Sequence, residues 1–129
     1  MHSRLLFLIL KIEIMKDNKL IAEFMDANPF REGDDVQSYE MYGILECIED
    51  GLNEQHFFLP EEMLFHESWD WLMPVVIKCF DADTPIALQH KLNDALLETN
   101  INTLYASVLE VAEYTSRRTE YLNVTNRES

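Results

Sequence analysis

Two histidines and several carboxylates crowd one short stretch of this chain: His56, Glu61, Glu62, His66, Glu67 and Asp70. Imidazole and carboxylate groups are the usual partners in general acid–base chemistry and common ligands of divalent metals. His66 and Asp70 are four residues apart, the spacing that brings two side chains together on one helix face. The sharpest chemical reading is a metal-dependent hydrolase built on His56, Glu62, His66 and Asp70. Against it, the chain holds no HExxH, no clustered Cys/His spacing and no nucleophile with its own base. A carboxylate four residues from a histidine at a helix start is more often a cap or an ion pair. We therefore assign no catalytic, metal or cofactor-binding residue from the sequence, and expect no cofactor.

The elements that must position these groups follow from periodicity. In "FHESWDWLMPVV", residues 65–76, Ser68 is placed to cap a helix and Asp70 lies in its first turn, near the positive end of the dipole. Trp69, Leu72, Val76 and Phe80 recur at helical spacing. Trp71 is about 200° around the helix from Trp69, so the two rings must serve different surfaces; both are expected in the core. Pro74 lacks a backbone donor, which predicts a kink or a late helix start.

Upstream, "DNKLIAEFMDANP" reads as a short helix, capped by Asp17 or Asn18, burying Leu20, Ile21, Phe24 and Met25 and stopped before Pro29. An acidic loop, "FREGDD", follows. "YEMYGILECIE" and "EQHFFLP" are rich in β-formers and flank the turn residues "DGLN", which predicts an antiparallel hairpin with Gly51 at positive φ. Downstream, Asp83 or Thr84 caps a helix with Pro85 in its first turn and with Leu88, Leu92, Ala95, Leu96 and Thr99 on one face. "TNIN" ends it. A last amphipathic helix runs from Asn102 through Leu104, Tyr105, Val108, Leu109, Val111, Ala112 and Thr115 to Arg117 and Arg118.

The fold class expected is α+β: a small antiparallel hairpin or sheet packed with about four helices in the order α-β-β-α-α-α. The opening "MHSRLLFLILKIEI" has Leu6, Leu8, Leu10, Ile12 and Ile14 on one side of a two-residue alternation, which predicts an additional N-terminal strand. Its apolar run is too short for a membrane span and no small-residue cleavage site follows. The expected organisation is an extension over 1–14, opening ahead of Met15, one domain over 15–116 and a mobile polar tail over 117–129. At 129 residues, 47% of them hydrophobic, the chain can bury a core without staples. Cys47 and Cys79 cannot make a disulfide framework, which points to packing roles in a reducing cytoplasm. Met25, Met41, Met63 and Met73 are best read as gap-fillers in a core.

Charge is the most selective bulk property. Ten basic residues stand against 24 acidic ones, a net of -14. Between residues 20 and 70 Arg31 is the one Lys or Arg, while most of the acids of the chain's first 70 residues fall there. Such a field repels phosphate backbones and anionic headgroups and draws in basic protein surfaces. Direct nucleic-acid and membrane binding are disfavoured. The candidate partner-binding residues are Glu32, Asp34, Asp35, Glu49, Asp50, Glu61 and Glu62. The plain alternative is that these acids serve solubility.

"NKLIAEFM", "HESWDWLMPVV" and the amphipathic helix after "LETNINTLY" resemble small phage and prophage proteins of Bacteroidetes, described as a phage α/β/α sandwich family. The resemblance covers residues 15 to about 116 and is carried chiefly by Ser68, Trp69, Asp70, Trp71 and Pro74, a fold motif without assigned chemistry. The closing "VLEVAEYTSRRTEY" departs from the more aromatic ending of such proteins. With the acidic surface, the resemblance implies a non-enzymatic inhibitor in the bacterial host cytoplasm. It would bind a basic, nucleic-acid-handling protein such as a CRISPR-Cas effector. The rivals are the hydrolase above and an accessory phage protein acting by self-association.

Overall fold

The computed structural model describes residues 2–33, 35–40 and 57–128. Helix α1, His2–Phe24, leads to strands β1, Asn28–Glu32, and β2, Asp35–Glu40. Beyond them lie β3, Phe57–Phe58, a 3-10 turn at Pro60–Glu62, and helices α2, Trp69–Asp81, α3, Ile86–Leu97, and α4, Ile101–Glu128. Four helices and a small antiparallel sheet make this an α+β fold, as expected.

The N-terminal strand is not present: residues 2–14 are helical and continue without a break into the segment read as a separate short helix. A continuous apolar run such as "LLFLIL" satisfies a two-residue alternation and a helical period equally. Leucine favours the helix, and an adjoining helical segment removes the cost of nucleation. For the same reason neither Asp17 nor Asn18 is a cap; both sit inside α1.

What stops α1 is a Schellman turn, not Pro29. Asp26 takes the left-handed conformation with φ 59°. Its amide donates to Glu23 O at 3.1 Å, and Ala27 N donates to Ala22 O, also at 3.1 Å. Pro29 then lies in β1, an edge strand, where a missing donor is tolerated.

The sheet has the order β1-β2-β3 with both pairs antiparallel. "FREGDD" is therefore not a loop: Phe30, Arg31 and Glu32 pair with β2, and Gly33, at φ 67°, takes the turn that a side chain would strain. A register shift between Phe30 and Arg31 marks a bulge. The expected hairpin is met at its base, where Tyr39 pairs with Phe58 and Glu40 with Phe57. Its turn at Gly51, with Met41 and Cys47, falls outside the described residues.

One core joins the layers. Ile21 and Ala22 of α1, Tyr39 of β2, Met63 and Phe65, and Leu72, Val75, Val76 and Cys79 of α2 are buried with Leu92 of α3 and Leu104, Val108, Val111 and Ala112 of α4. In α2 the buried face is rotated from the expected one. Trp71 is 5% exposed, whereas Trp69 is 38% and Phe80 40% exposed. Trp69 is thus not a core residue. Pro74 lies within α2, and the helix runs through it. Ser68 precedes α2 in extended conformation but makes no side-chain capping bond. At α4 the cap is Asn100, whose Oδ1 accepts from Asn102 N at 2.9 Å and Thr103 N at 3.4 Å. The expected tail is also corrected: α4 remains helical through 117–128.

Candidate functional site

The ends of α1 and α2 and the side of α4 converge on an open cleft of about 610 Å³. Glu23 and Phe24 come from the end of α1 and Asp26 from its cap, Lys78 and Asp81 from the last turn of α2, and Arg118, Thr119 and Leu122 from α4. Ala82 and Asp83, in the α2–α3 connection, complete the rim. Four carboxylates face two cations, with Phe24 and Leu122 as apolar floor.

The charges are largely paired. Lys78 Nζ lies 2.9 Å from Asp26 Oδ2 and 5.2 Å from the centre of the Phe24 ring, a cation–π contact. Arg118 Nη1 lies 2.9 Å from Asp83 Oδ2 and also donates to the Asp83 carbonyl at 3.1 Å, which raises the guanidinium pKa further. The Tyr39 hydroxyl donates to Glu23 Oε1 at 3.0 Å; burial, then this bond, raise the phenol pKa. The cleft therefore keeps a negative excess, with carboxylates held by neighbours. A guanidinium or ammonium group entering the cleft would meet a net negative rim.

One signal of this cleft is present in the sequence. Asp81 ends α2 and Asp83 follows, so both acids stand at the negative end of a helix dipole, where they are locally unfavourable. Local rules tend to be broken at binding sites. The window of residues 20–70 passed over them, and the cleft needs α1 and α4 to bring Glu23 and Asp26 alongside.

The residues singled out from sequence are dispersed. His66 Nε2 lies 3.1 Å from Glu67 Oε1, and its Nδ1 is buried without a hydrogen-bond partner. Its ring centre is 6.0 Å from that of Tyr105. Among the described residues no group of three or more His, Cys, Asp or Glu side chains is placed to hold a metal ion. His56 lies outside the described residues. Glu62 is occupied locally, its Oε1 accepting from Leu59 N at 2.9 Å across the 3-10 turn, and Glu61 is exposed beside it. Glu32 and Asp35 flank the β1–β2 turn in backbone position; Asp34, Glu49 and Asp50 lie outside the described residues. Ser68, Asp70, Trp71 and Pro74 belong to the start of α2 and help build the fold rather than the cleft.

No family model, curated protein or solved structure matches this chain. Among the described residues no helix is long and apolar enough to cross a membrane. Cys79 is fully buried, and burial pushes its thiol up to about 12, the setting of a packing cysteine.

Two turns before Phe24 on α1, partial burial first, then the charges of Glu113 and Glu13, raises the Asp17 pKa. A carboxyl whose folded pKa is raised favours folding below its unfolded value of 3.8, and that contribution is lost as pH rises through the folded value. Asp17→Asn is therefore expected to raise the melting temperature at pH 7. The gain should shrink as pH falls through the raised folded value toward 3.8 and be absent below it, which thermal melts of both proteins from pH 7 downward will show.

Proposed function

We propose that this protein is a non-enzymatic acidic interaction protein, of phage or prophage origin, that binds and inhibits a basic nucleic-acid-handling protein of its bacterial host. A CRISPR-Cas effector is the most specific form of that partner. The observation that carries the reading is the charge: a net of -14, with Arg31 the one Lys or Arg over residues 20–70. The cleft bounded by Glu23, Asp26, Asp81 and Asp83 supports it, since it presents carboxylates beside an apolar floor on which the stem of an Arg or Lys can lie. The phage origin rests on the likeness of the "SWDWLMPVV" segment alone.

Affinity capture from a host lysate, with and without nuclease, tests the reading. A basic protein retained after nuclease treatment is the expected result; loss of every partner on nuclease treatment argues against direct protein binding. With the captured partner in hand, association should slow steeply as salt rises while dissociation changes little, because opposite charge accelerates encounter over a Debye length of about 8–10 Å. Neutralising Asp34, Asp35, Glu49 and Asp50 together should reduce the association rate and leave the melting temperature nearly unchanged. Association rates flat across salt, with the four-site variant fully active, would leave the acids as a solubility feature.

A further inference from the structure

The fold uses one face of α2 and leaves a second apolar face in water. Asp70, Lys78 and Asp81 are the charged residues of this helix and the others are all apolar, a composition that suits a helix covered on two sides. Trp71, Leu72, Val75, Val76 and Cys79 fill the arc turned to the core. Trp69, Met73, Ile77 and Phe80 lie on a separate arc of about 80°. Trp69 is 38%, Ile77 62% and Phe80 40% exposed. Trp69, Met73 and Ile77 stand four residues apart and form one ridge, which Phe80 extends to about 16 Å, or three helical turns. Such a ridge seats in the groove between the side chains of another helix. Trp, Met and Phe are also the residue types enriched where proteins meet.

Charge indicates what that other helix carries. Going round α2 from Ile77, Asp70 and Asp81 border the ridge, and Asp81 is also a wall of the acidic cleft. Lys78, the one cation of α2, is held on the far side by Asp26 and the Phe24 ring. In the cleft Glu23, Asp26 and Asp83 each have a partner, while Asp81 has none among the described residues. Asp81 stands at the negative end of the α2 dipole as well, so a cation brought from outside is favoured there twice over.

We propose that the outer face of α2 docks a basic amphipathic helix, whose apolar side sits on Trp69, Met73, Ile77 and Phe80 and whose Lys or Arg side chains reach Asp70 and Asp81. This rests on the reading of a basic protein partner and narrows it to one element and one face. Titrating the full chain into a labelled Leu/Lys amphipathic helical peptide of about fourteen residues, followed by fluorescence anisotropy, tests it. Saturable binding that weakens as salt rises is expected, about tenfold or more tighter than for a Leu/Glu peptide of the same apolar pattern. Trp69→Ala combined with Ile77→Ala should weaken binding about tenfold or more and keep the melting temperature within about 5 °C. Asp81→Asn should weaken it about threefold and flatten its salt dependence. Equal binding by the double variant, or equal binding of the Leu/Glu peptide, would overturn the proposal. So would self-association or vesicle binding that the double variant loses, which would place a second copy or a bilayer on this face. A basic host protein captured equally by the parent and the double variant would overturn the docking face and leave the functional reading standing. A parent that binds the Leu/Lys peptide through Trp69 and Ile77 but captures no basic protein would uphold the face and overturn the functional reading instead.

Discussion

Trp71→Ala is expected to lower the unfolding free energy by about 3–5 kcal/mol, while Trp69→Ala, two residues away, changes it by less than about 1 kcal/mol. The contrast follows from where the ring lies. Trp71 is 5% exposed and receives two edge-on aromatic neighbours, Phe58 at 5.2 Å between ring centres and Phe65 at 5.3 Å. Those rings come from β3 and from the segment before α2, so Trp71 is one point at which the sheet and the helices are joined. Truncation removes both contacts and opens a cavity that three separately anchored elements cannot collapse to fill. Trp69 leaves over a third of its surface in water. Urea unfolding of the two variants reads the difference directly; equal losses would mean that Trp69 also sits in the core.

The second large effect centres on Asn18. Its side chain is fully buried in α1, and each of its groups is satisfied: Nδ2 donates to Met63 O at 3.1 Å and Pro60 O at 3.2 Å, and Oδ1 accepts from the Tyr105 hydroxyl at 3.0 Å. One amide thus ties α1 to the 3-10 turn and to α4. The Tyr105 phenol stays protonated, its pKa raised by burial and then by the charge of Asp17. Asn18→Leu is expected to cost about 2–4 kcal/mol, because two carbonyls and a hydroxyl lose their partner in a dry site. Asn18→Asp should cost at least as much at pH 7, about 3–5 kcal/mol, since it sets a carboxylate against two carbonyl oxygens. Burial and those oxygens raise the folded pKa of the new acid above its unfolded value. The deficit should therefore shrink as pH falls toward 4, in contrast to the leucine variant, whose deficit stays flat. Denaturant titrations of both variants at pH 7 and pH 4.5 separate the two behaviours.

Residue periodicity located α3 and the buried stripe of α4 because their apolar residues keep one period over several turns. Leu92 and Ala95, and Leu104, Val108, Val111 and Ala112, are on the expected faces and buried there. The pairing of Tyr39 and Glu40 with Phe57 and Phe58 was legible for a similar reason, two β-rich runs separated by turn residues. In α2 the sequence carried two competing stripes, one through Trp69 and Phe80 and one through Trp71, Val75 and Cys79. Both are apolar at helical spacing, and only the position of the sheet against one of them selects it. The same holds for the opening of α1, whose unbroken apolar run fits either period until it is joined to the helix that follows.

Composition and order alone determined the negative field, the lack of a standard catalytic spacing and the α+β class, since these depend on residue type and local period. Tertiary structure decided the rest. The acidic cleft is assembled from residues up to nearly a hundred positions apart, Glu23 and Asp26 at one end and Arg118 and Leu122 at the other. The Asn18 knot joins residues 42 to 87 positions apart. Neither could be read along the chain, because a hydrogen bond or a shared cleft between distant segments depends on how helices and sheet pack, and that packing is fixed by the whole core at once.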